Sequence, residues 1–246
     1  MYALRGEALW SAPPPALRAL FSDPEWALWR VALPRAVNAP LCSSIGRLFD
    51  AVAALLGLRS RVTFDGQAAM ELEAAAAAAP PVLPWPLPLQ TAETPWCLDP
   101  APLIDALLED PVLTTMTPGT AAAALEPELT AAASPVAAAL NPEMTAAIIP
   151  TPAVAAAARR FHLALAESIA EVAQRTGLTR VLLGGGVFQN ALLTEATIAA
   201  VQRRGAAVLW PQEVPPNDGG LAVGQVLAAA AQRESASAAS EVDACA

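Results

Sequence analysis

The sequence is poor in basic residues and contains one histidine. Its 246 residues include 14 Lys and Arg against 23 Asp and Glu, so the formal net charge is -9. Nucleic-acid backbones are bound by clustered cations, and the sequence has no such cluster, so a nucleic-acid surface is not expected. With His162 as its sole histidine, the chain cannot by itself assemble a metal site that needs two histidine ligands.

Cysteines and uninterrupted apolar runs are also scarce. Cys42, Cys97 and Cys245 are an odd number without metal-ligand spacing, which is typical of reduced thiols in the cytosol. Hydrophobic residues make up 55% of the chain, but alanine dominates them and proline interrupts the longer runs, so no membrane-spanning helix is predicted. The first ten residues do not have the pattern of a secretory signal. We therefore expect a cytoplasmic protein with no membrane or nucleic-acid partner.

Composition divides the chain into segments. Residues 1–39 are rich in proline, alanine and tryptophan and receive no assignment beyond packing roles for the tryptophans. Residues 40–234 carry the clear periodic patterns. Within them, 111–152 consists largely of Ala, Thr and Pro and is predicted to be a low-complexity, largely helical insertion. The tail, 235–246, is predicted to be disordered.

The most informative stretch predicts strand, helix, strand and helix in that order. The predicted strands cover 181–183 and 206–210, and glycine-containing loops follow them at 184–186 and 215–220. Asn190 opens the intervening helix. This order is that of a parallel crossover in an α/β fold, which brings both loops to the carboxyl edge of the sheet, where ligands of such sheets bind.

The chemistry of these two loops allows two interpretations. Backbone N–H groups at a glycine turn beside a helix start can bind phosphate, and Asp218 in the second loop could hold a cation that neutralises phosphate charge. However, Gly184, Gly185 and Gly186 could simply allow a tight turn. Asp218 could equally cap the helix that follows it.

A second region of clear pattern begins at residue 40. An amphipathic helix is predicted from Ser43 or Ser44 to Gly57. Arg47 and Asp50 lie one turn apart on its flank. The ordinary interpretation is a helical ion pair, and the functional one is that Asp50 projects into a cleft and accepts hydrogen bonds from a ribose.

A short strand at 62–64, a turn at Asp65 and Gly66 and a helix from Gln67 are predicted next, with Glu71 and Glu73 as solvated helix charges. Residues 80–102 are too rich in proline for a helix and are predicted to be extended. A short helix follows at 103–108. Another helix is predicted from Ala153 to Gly177, in which His162 borders the apolar face, a position that favours a structural over a catalytic role.

Five segments resemble, in this order, the C-terminal end of the HypF family, the carbamoyltransferases of nickel–iron hydrogenase maturation. They are SSIGRLFDAVAALLGL, FDGQAAMELE, RFHLALA, GGGVFQNALL and PPNDGGLAVGQ. The region is also similar to TsaD, the tRNA threonylcarbamoyl transferase, although the acidic charge suits a protein acceptor better than tRNA. The resemblance implies part of a two-lobed, ATP-binding α/β fold of the actin, heat-shock-protein and sugar-kinase superfamily (ASKHA).

The resemblance also implies ligands and partners. ATP would be bound as carbamoyl adenylate beside a divalent metal (Mg, Fe or Zn), and the carbamoyl group would pass to the C-terminal cysteine of a HypE-like acceptor protein. The paired-histidine motif and first lobe of the family are not found in this sequence, so a missing N-terminal HypF half is an expected partner. A non-catalytic remnant or scaffold that binds HypE is the alternative. The residues implied as nucleotide contacts are Asp50, Gly66, Gly184, Gly185, Asn190 and Gly219, and the implied metal ligand is Asp218.

Overall fold

The structure is a computed structural model that describes residues 1–111 and 150–243. The predicted insertion, 111–152, therefore lies almost entirely outside the described residues. The chain divides into two compact units, Met1–Ile169 and Ala170–Ala246. None of the helices in the described ranges is both long enough and apolar enough to cross a membrane.

The first 39 residues form short helices around tryptophan side chains. The indole rings of Trp10 and Trp26 meet edge to face with centroids 5.4 Å apart, which confirms the predicted packing role of these side chains. The last helix of the group begins at a capping box, in which the Glu25 carboxylate accepts hydrogen bonds from the backbone N–H and the hydroxyl of Ser22. The helices are α1 (Tyr2–Arg5), α2 (Ala8–Ser11), α3 (Pro15–Ala19) and α4 (Asp23–Ala32).

The two helices predicted after residue 40 are present, but the strand predicted between them is not. Helix α5 covers Ile45–Leu55, and α6 covers Gln67–Ala77. The prediction of a strand at 62–64 is wrong: the Thr63 N–H donates to the Gln67 side-chain oxygen at 2.8 Å instead of to a neighbouring strand. A β-branched, apolar sequence does not make a strand unless another strand pairs with it.

Glu71 is not the solvated helix charge that its sequence context predicts. Its carboxylate accepts hydrogen bonds from Nε and Nη2 of Arg59 at 2.6–3.0 Å, and both side chains are partly buried. This hydrogen bonding raises the pKa of the Arg59 guanidinium above its usual value. A bidentate pair of this kind fixes the loop before α6 against that helix.

The proline-rich segment is extended, as predicted, and it contains a small hairpin. Strands β1 (Leu89–Gln90) and β2 (Cys97–Leu98) pair antiparallel. Helix α7 (Ala101–Glu109) follows, and α8 (Pro152–Thr176) is the long helix predicted from Ala153. The largest fully buried side chains of this unit are Phe49, Leu56, Leu72, Leu103, Leu107, Phe161, His162 and Leu165.

His162 lies inside this core, which confirms its structural interpretation. The imidazole is fully buried, and its Nδ1 atom is 2.8 Å from the carbonyl oxygen of Ala158. Its ring meets those of Phe49 and Phe161 edge to face, with centroids 5.3 and 5.7 Å apart. Burial lowers the pKa of His162 to about 4, because the charged imidazolium cannot be solvated there.

The second unit has the predicted strand, helix, strand and helix order. Strands β3 (Arg180–Leu182) and β4 (Ala207–Leu209) pair parallel, and α9 (Ala191–Arg203) connects them. This confirms the α/β class, with two-stranded sheets in the described residues. Leu183, Val201 and Val208 pack with Ala170, Ala173 and Ala200 in a small core.

The last helix, α10, covers Leu221–Asp243. Residues 235–243, which the sequence predicts to be disordered, are therefore helical in the structure, and 244–246 lie outside the described residues. The segment continues the helix that begins at Leu221, and three of its nine residues are alanine, which has the strongest intrinsic preference for helix.

Candidate functional site

The two loops that follow the parallel strands lie against each other. The N–H of Gly185 donates to the carbonyl oxygen of Pro216 at 2.8 Å. A Cβ atom placed on Gly186 would lie 3.7 Å from the Cβ of Asn217. The structure therefore brings Gly184, Gly185, Asp218 and Gly219 to one edge of the β3–β4 sheet, as the predicted crossover requires.

Glycine at 185 is required by the backbone and leaves room beside it. Gly185 has φ +100°, a conformation that residues with a side chain rarely adopt. Cβ atoms placed on Gly184 or Gly185 would meet no other atom within 4 Å. A ligand can therefore approach this part of the backbone closely. The Gly185 N–H, however, is already bonded to Pro216, so it does not point at an approaching phosphate.

The second loop is held by its own short-range hydrogen bonds. The side-chain oxygen of Asn217 accepts from the Gly219 N–H at 3.0 Å, and its carbonyl accepts from the Gly220 N–H at 2.9 Å. Asn217, rather than Asp218, therefore caps the turn Asp218–Gly220. The capping alternative for Asp218 is wrong, and its carboxylate lies on an exposed loop residue.

Asn190 is buried and acts as the N-cap of α9. Its Oδ1 atom accepts the backbone N–H of Leu193 at 2.8 Å. This bond satisfies one of the unpaired donors at the start of the helix. The amide side chain therefore has a structural task in addition to any contact with a nucleotide.

Alanine at position 190 should lower the free energy of unfolding of the second unit by about 1 kcal/mol, because the cap is lost. Serine at the same position retains a capping oxygen and should cost less than half as much. Urea unfolding followed by circular dichroism compares the two variants with the parent chain. Equal losses for Asn190→Ala and Asn190→Ser would contradict the capping role.

Asp218 is a candidate for a single metal ligand and not for a complete site. Divalent cations are held by several oxygen, nitrogen or sulfur ligands. In the described part of the chain, no three His, Cys, Asp or Glu side chains come together in a group that could hold a metal ion. The described residues therefore do not form a metal site on their own.

In the first unit, one arginine contacts Asp50 and also Asp65, the residue before Gly66. Arg47 contacts the Asp50 carboxylate at 2.9 Å through Nη1 and the Asp65 carboxylate at 3.1 Å through Nη2. The predicted Arg47–Asp50 ion pair is thus confirmed, and it holds Asp50 with its side chain 27% exposed. Gly66, which follows Asp65, has φ +83° and open space around a Cβ position.

The predicted site residues thus form two groups, one in each unit. Asp50 and Gly66 belong to the first, and the remaining five belong to the second. Sequence reasoning missed the roles of Asn217 and of the Arg47–Asp65 contact. The run Pro-Pro-Asn-Asp-Gly-Gly at 215–220 did carry a signal for the first of these, because asparagine readily accepts a hydrogen bond from a backbone N–H two residues later.

Three comparisons with known proteins, namely family models, curated relatives and solved structures, agree on one family. A family model described as "Carbamoyltransferase, Kae1-like Domain, second subdomain" matches residues 6–150 and 143–225. The match begins near the start of the chain, so it includes most of the segment 1–39 that the sequence patterns left unassigned. It also includes the insertion at 111–152.

Curated relatives and solved structures agree with this match. The chain is 36% identical over 198 residues to the carbamoyltransferase HypF of Synechocystis sp., covering 78% of this chain and 20% of the relative. It is also 36% identical over 213 residues to HypF of Rhodobacter capsulatus, covering 85% and 22%. The chain therefore spans about a fifth of the length of these relatives.

Two solved HypF structures have a similar fold. A full-length HypF in a phosphate- and nucleotide-bound form aligns with a TM-score of 0.63 at 24% identity, over 91% of this chain and 25% of that one. HypF of T. kodakarensis aligns with a TM-score of 0.58 at 25% identity, over 93% and 25%. The chain belongs to the HypF carbamoyltransferase family, in which it corresponds to the second subdomain of the Kae1-like domain.

Proposed function

We propose that the chain is the nucleotide-binding C-terminal portion of a carbamoyltransferase. It would bind ATP, in the form of carbamoyl adenylate, and take part in transfer of the carbamoyl group to the C-terminal cysteine of a HypE-like acceptor during hydrogenase maturation. The observation that carries the proposal is the contact between the Gly185 N–H and the Pro216 carbonyl, which joins the two loops at one edge of a parallel sheet.

The geometry supports particular roles for the residues of the second unit. The open space at Gly184 and Gly185 would admit the phosphates of a nucleotide beside the start of α9, where the helix dipole favours negative charge. A Cβ atom on Gly219 would lie 3.1 Å from the side-chain oxygen of Asn217 and 3.2 Å from the ring of Pro215, so glycine there keeps the second loop compact, and its backbone would contact the nucleotide. Asp218 would supply one carboxylate to a divalent cation whose other ligands come from outside the described residues.

In the first unit, Asp50 and Gly66 are the proposed nucleotide contacts. The Asp50 carboxylate uses one oxygen to pair with Arg47, so the pair fixes its orientation while it remains a hydrogen-bond acceptor for a ribose hydroxyl. Gly66 would allow a nucleotide to approach the turn after Asp65. These assignments follow the ATP-binding ASKHA architecture that we propose for the complete, cytoplasmic protein.

Because the chain spans about a fifth of its relatives, we expect full activity only together with the remaining N-terminal portion. Calorimetric titration with ATP and Mg²⁺ should therefore show tight binding in a mixture with the rest of a HypF relative, and weaker or no binding by the chain alone. Failure of ATP to bind in either case, with both proteins folded, would contradict the proposal.

Two matched pairs of variants make this titration specific. Asp218→Asn should weaken Mg²⁺-dependent ATP binding by about tenfold or more, since a carboxylate ligand is lost, whereas Glu213→Gln removes the same charge from the same exposed loop and should not. Asp50→Asn should weaken binding and Asp65→Asn should not, although both aspartates contact Arg47. Equal effects within either pair would show that net charge, and not the proposed contact, controls binding.

A further inference from the structure

Gln67, the first residue of α6, is a buried glutamine whose side chain is hydrogen bonded at both ends. Only 6% of the residue is exposed. Its Oε1 atom accepts hydrogen bonds from the backbone N–H of Thr63 at 2.8 Å and from the Thr63 hydroxyl at 3.1 Å, and its Nε2 atom donates to Oε1 of Glu71 at 3.2 Å. Glutamine is mostly exposed in proteins, because burying an amide costs free energy unless it is hydrogen bonded. Gln67 therefore joins the loop before α6 to the body of that helix.

The same face of α6 also holds an earlier point of the loop. Glu71 lies one turn after Gln67, and its carboxylate accepts hydrogen bonds from Nε and Nη2 of Arg59 at 2.6–3.0 Å. The segment between α5 and α6 is thus tied to α6 at two positions, Arg59 and Thr63. The four hydrogen-bonded residues, Arg59, Thr63, Gln67 and Glu71, are called the clamp below.

The clamp closes directly beside Gly66. Gly66 precedes Gln67 and has φ +83°, and a Cβ atom placed on it would meet no other atom within 4 Å. Because glycine has more conformational freedom than other residues and no side chain packs here, the hydrogen bonds on either side determine where its backbone stands. The contact of Arg47 with Asp65 joins side chains that are 57% and 95% exposed, and exposed pairs stabilise little. The turn is therefore fixed mainly by the bonds between Gln67 and Thr63.

We propose that Gln67 is a positioning residue of the nucleotide site. Through Thr63 it would hold the Gly66 backbone in the orientation that ATP meets, while Glu71 and Arg59 orient its amide group. Gln67 would act through Gly66 and not by contact with the nucleotide. A turn that is ordered in advance spares the ligand the free energy of ordering it, so loss of the clamp should lower the affinity without removing a contact. The inference rests on the proposed function, in which Gly66 is a nucleotide contact.

Gln67→Met tests this role, because methionine is of similar length and helix preference but lacks the amide oxygen and nitrogen. In a mixture with the rest of a HypF relative, calorimetric titration with ATP and Mg²⁺ should show binding about tenfold weaker than that of the parent chain. Ile104→Val is the matched control, because it disturbs the buried core of the same unit and leaves the clamp intact. It should change the ATP affinity by less than about twofold. Equal weakening by both variants would point to general destabilisation and overturn the positioning role.

Two further measurements decide the matter if Gln67→Met does not fold. Arg59→Lys keeps the positive charge at a partly exposed position and loses the two-point contact with Glu71, so it should weaken ATP binding by about threefold. In the parent chain, the Thr63 amide should exchange with deuterium at least about tenfold more slowly than an unprotected amide, although Thr63 lies on an exposed loop. An unprotected Thr63 amide, or unchanged ATP affinity in the folded clamp variants, would overturn the inference.

The outcomes separate this inference from the proposed function. Absence of ATP binding by the parent mixture would contradict both. Binding by the parent mixture that Asp50→Asn weakens and the clamp variants leave unchanged would contradict the positioning role alone.

Discussion

Alanine in place of Phe161 is expected to lower the free energy of unfolding of the first unit by about 3–5 kcal/mol. The ring is fully buried, and its centroid lies 4.8 Å from that of Phe49 in an edge-to-face contact. Removing it deletes both the buried apolar area and this contact, and it leaves a cavity that the surrounding helices cannot fill. A loss of this size is comparable to the total stability of many domains.

Urea unfolding followed by tryptophan fluorescence measures the effect, because five of the six tryptophans, all except Trp210, lie in the first unit. Leu41→Ala is the matched control: its side chain is 90% exposed, so the same kind of truncation should cost less than about 0.5 kcal/mol. A loss below 1 kcal/mol for Phe161→Ala would show that this aromatic contact does not stabilise the core.

Local sequence patterns predicted the elements whose stability depends on near neighbours. Helix α9 is marked by an N-cap at Asn190 and a glycine with φ +85° at Gly205, and both signals lie within or beside the helix. The parallel pairing of β3 and β4 followed from strand–helix–strand order. Because the crossover also determines where the strands end, the meeting of the two glycine loops was predictable as well.

Features that depend on distant residues were not predictable in the same way. The segment 62–64 has a strand-like sequence, but the Thr63 N–H is taken by the Gln67 side chain. Glu71 resembles a solvated helix charge until Arg59, twelve residues earlier, folds back onto it. Likewise, the sequence could not show that Arg47 would contact Asp65 as well as Asp50, because that contact depends on how α5 and the following turn are placed.

Acidification should destabilise the first unit through His162. Its pKa is lowered to about 4 in the folded chain, against 6.5 for an ordinary histidine. Burial is the main cause, and the nearby positive charge of Arg159 adds to it, while the hydrogen bond to the Ala158 carbonyl acts in the opposite direction. The folded state therefore keeps the imidazole neutral over a pH range in which the unfolded chain binds a proton.

The sign of the effect follows from this difference. Well above pH 6.5 the imidazole is neutral in both states, so protonation of His162 does not lower the free energy of unfolding there. As the pH falls from 6.5 towards 4, only the unfolded chain takes up the proton, so the free energy of unfolding should fall by up to about 1.4 kcal/mol per pH unit. The total loss should be about 3 kcal/mol, and it should level off once the folded chain is also protonated.

Comparison with His162→Phe isolates this contribution, since phenylalanine keeps an aromatic ring among Phe49 and Phe161 but has no group that titrates. Urea unfolding of both proteins should be measured at intervals from pH 7.5 to pH 4.5. Carboxylates titrate equally in the two proteins, so their effect cancels in the difference between the two profiles. Because the chain has one histidine, parallel profiles between pH 6.5 and 5 would contradict a buried, neutral His162, whereas a steeper fall for the parent chain would show that the imidazole is kept neutral by the core.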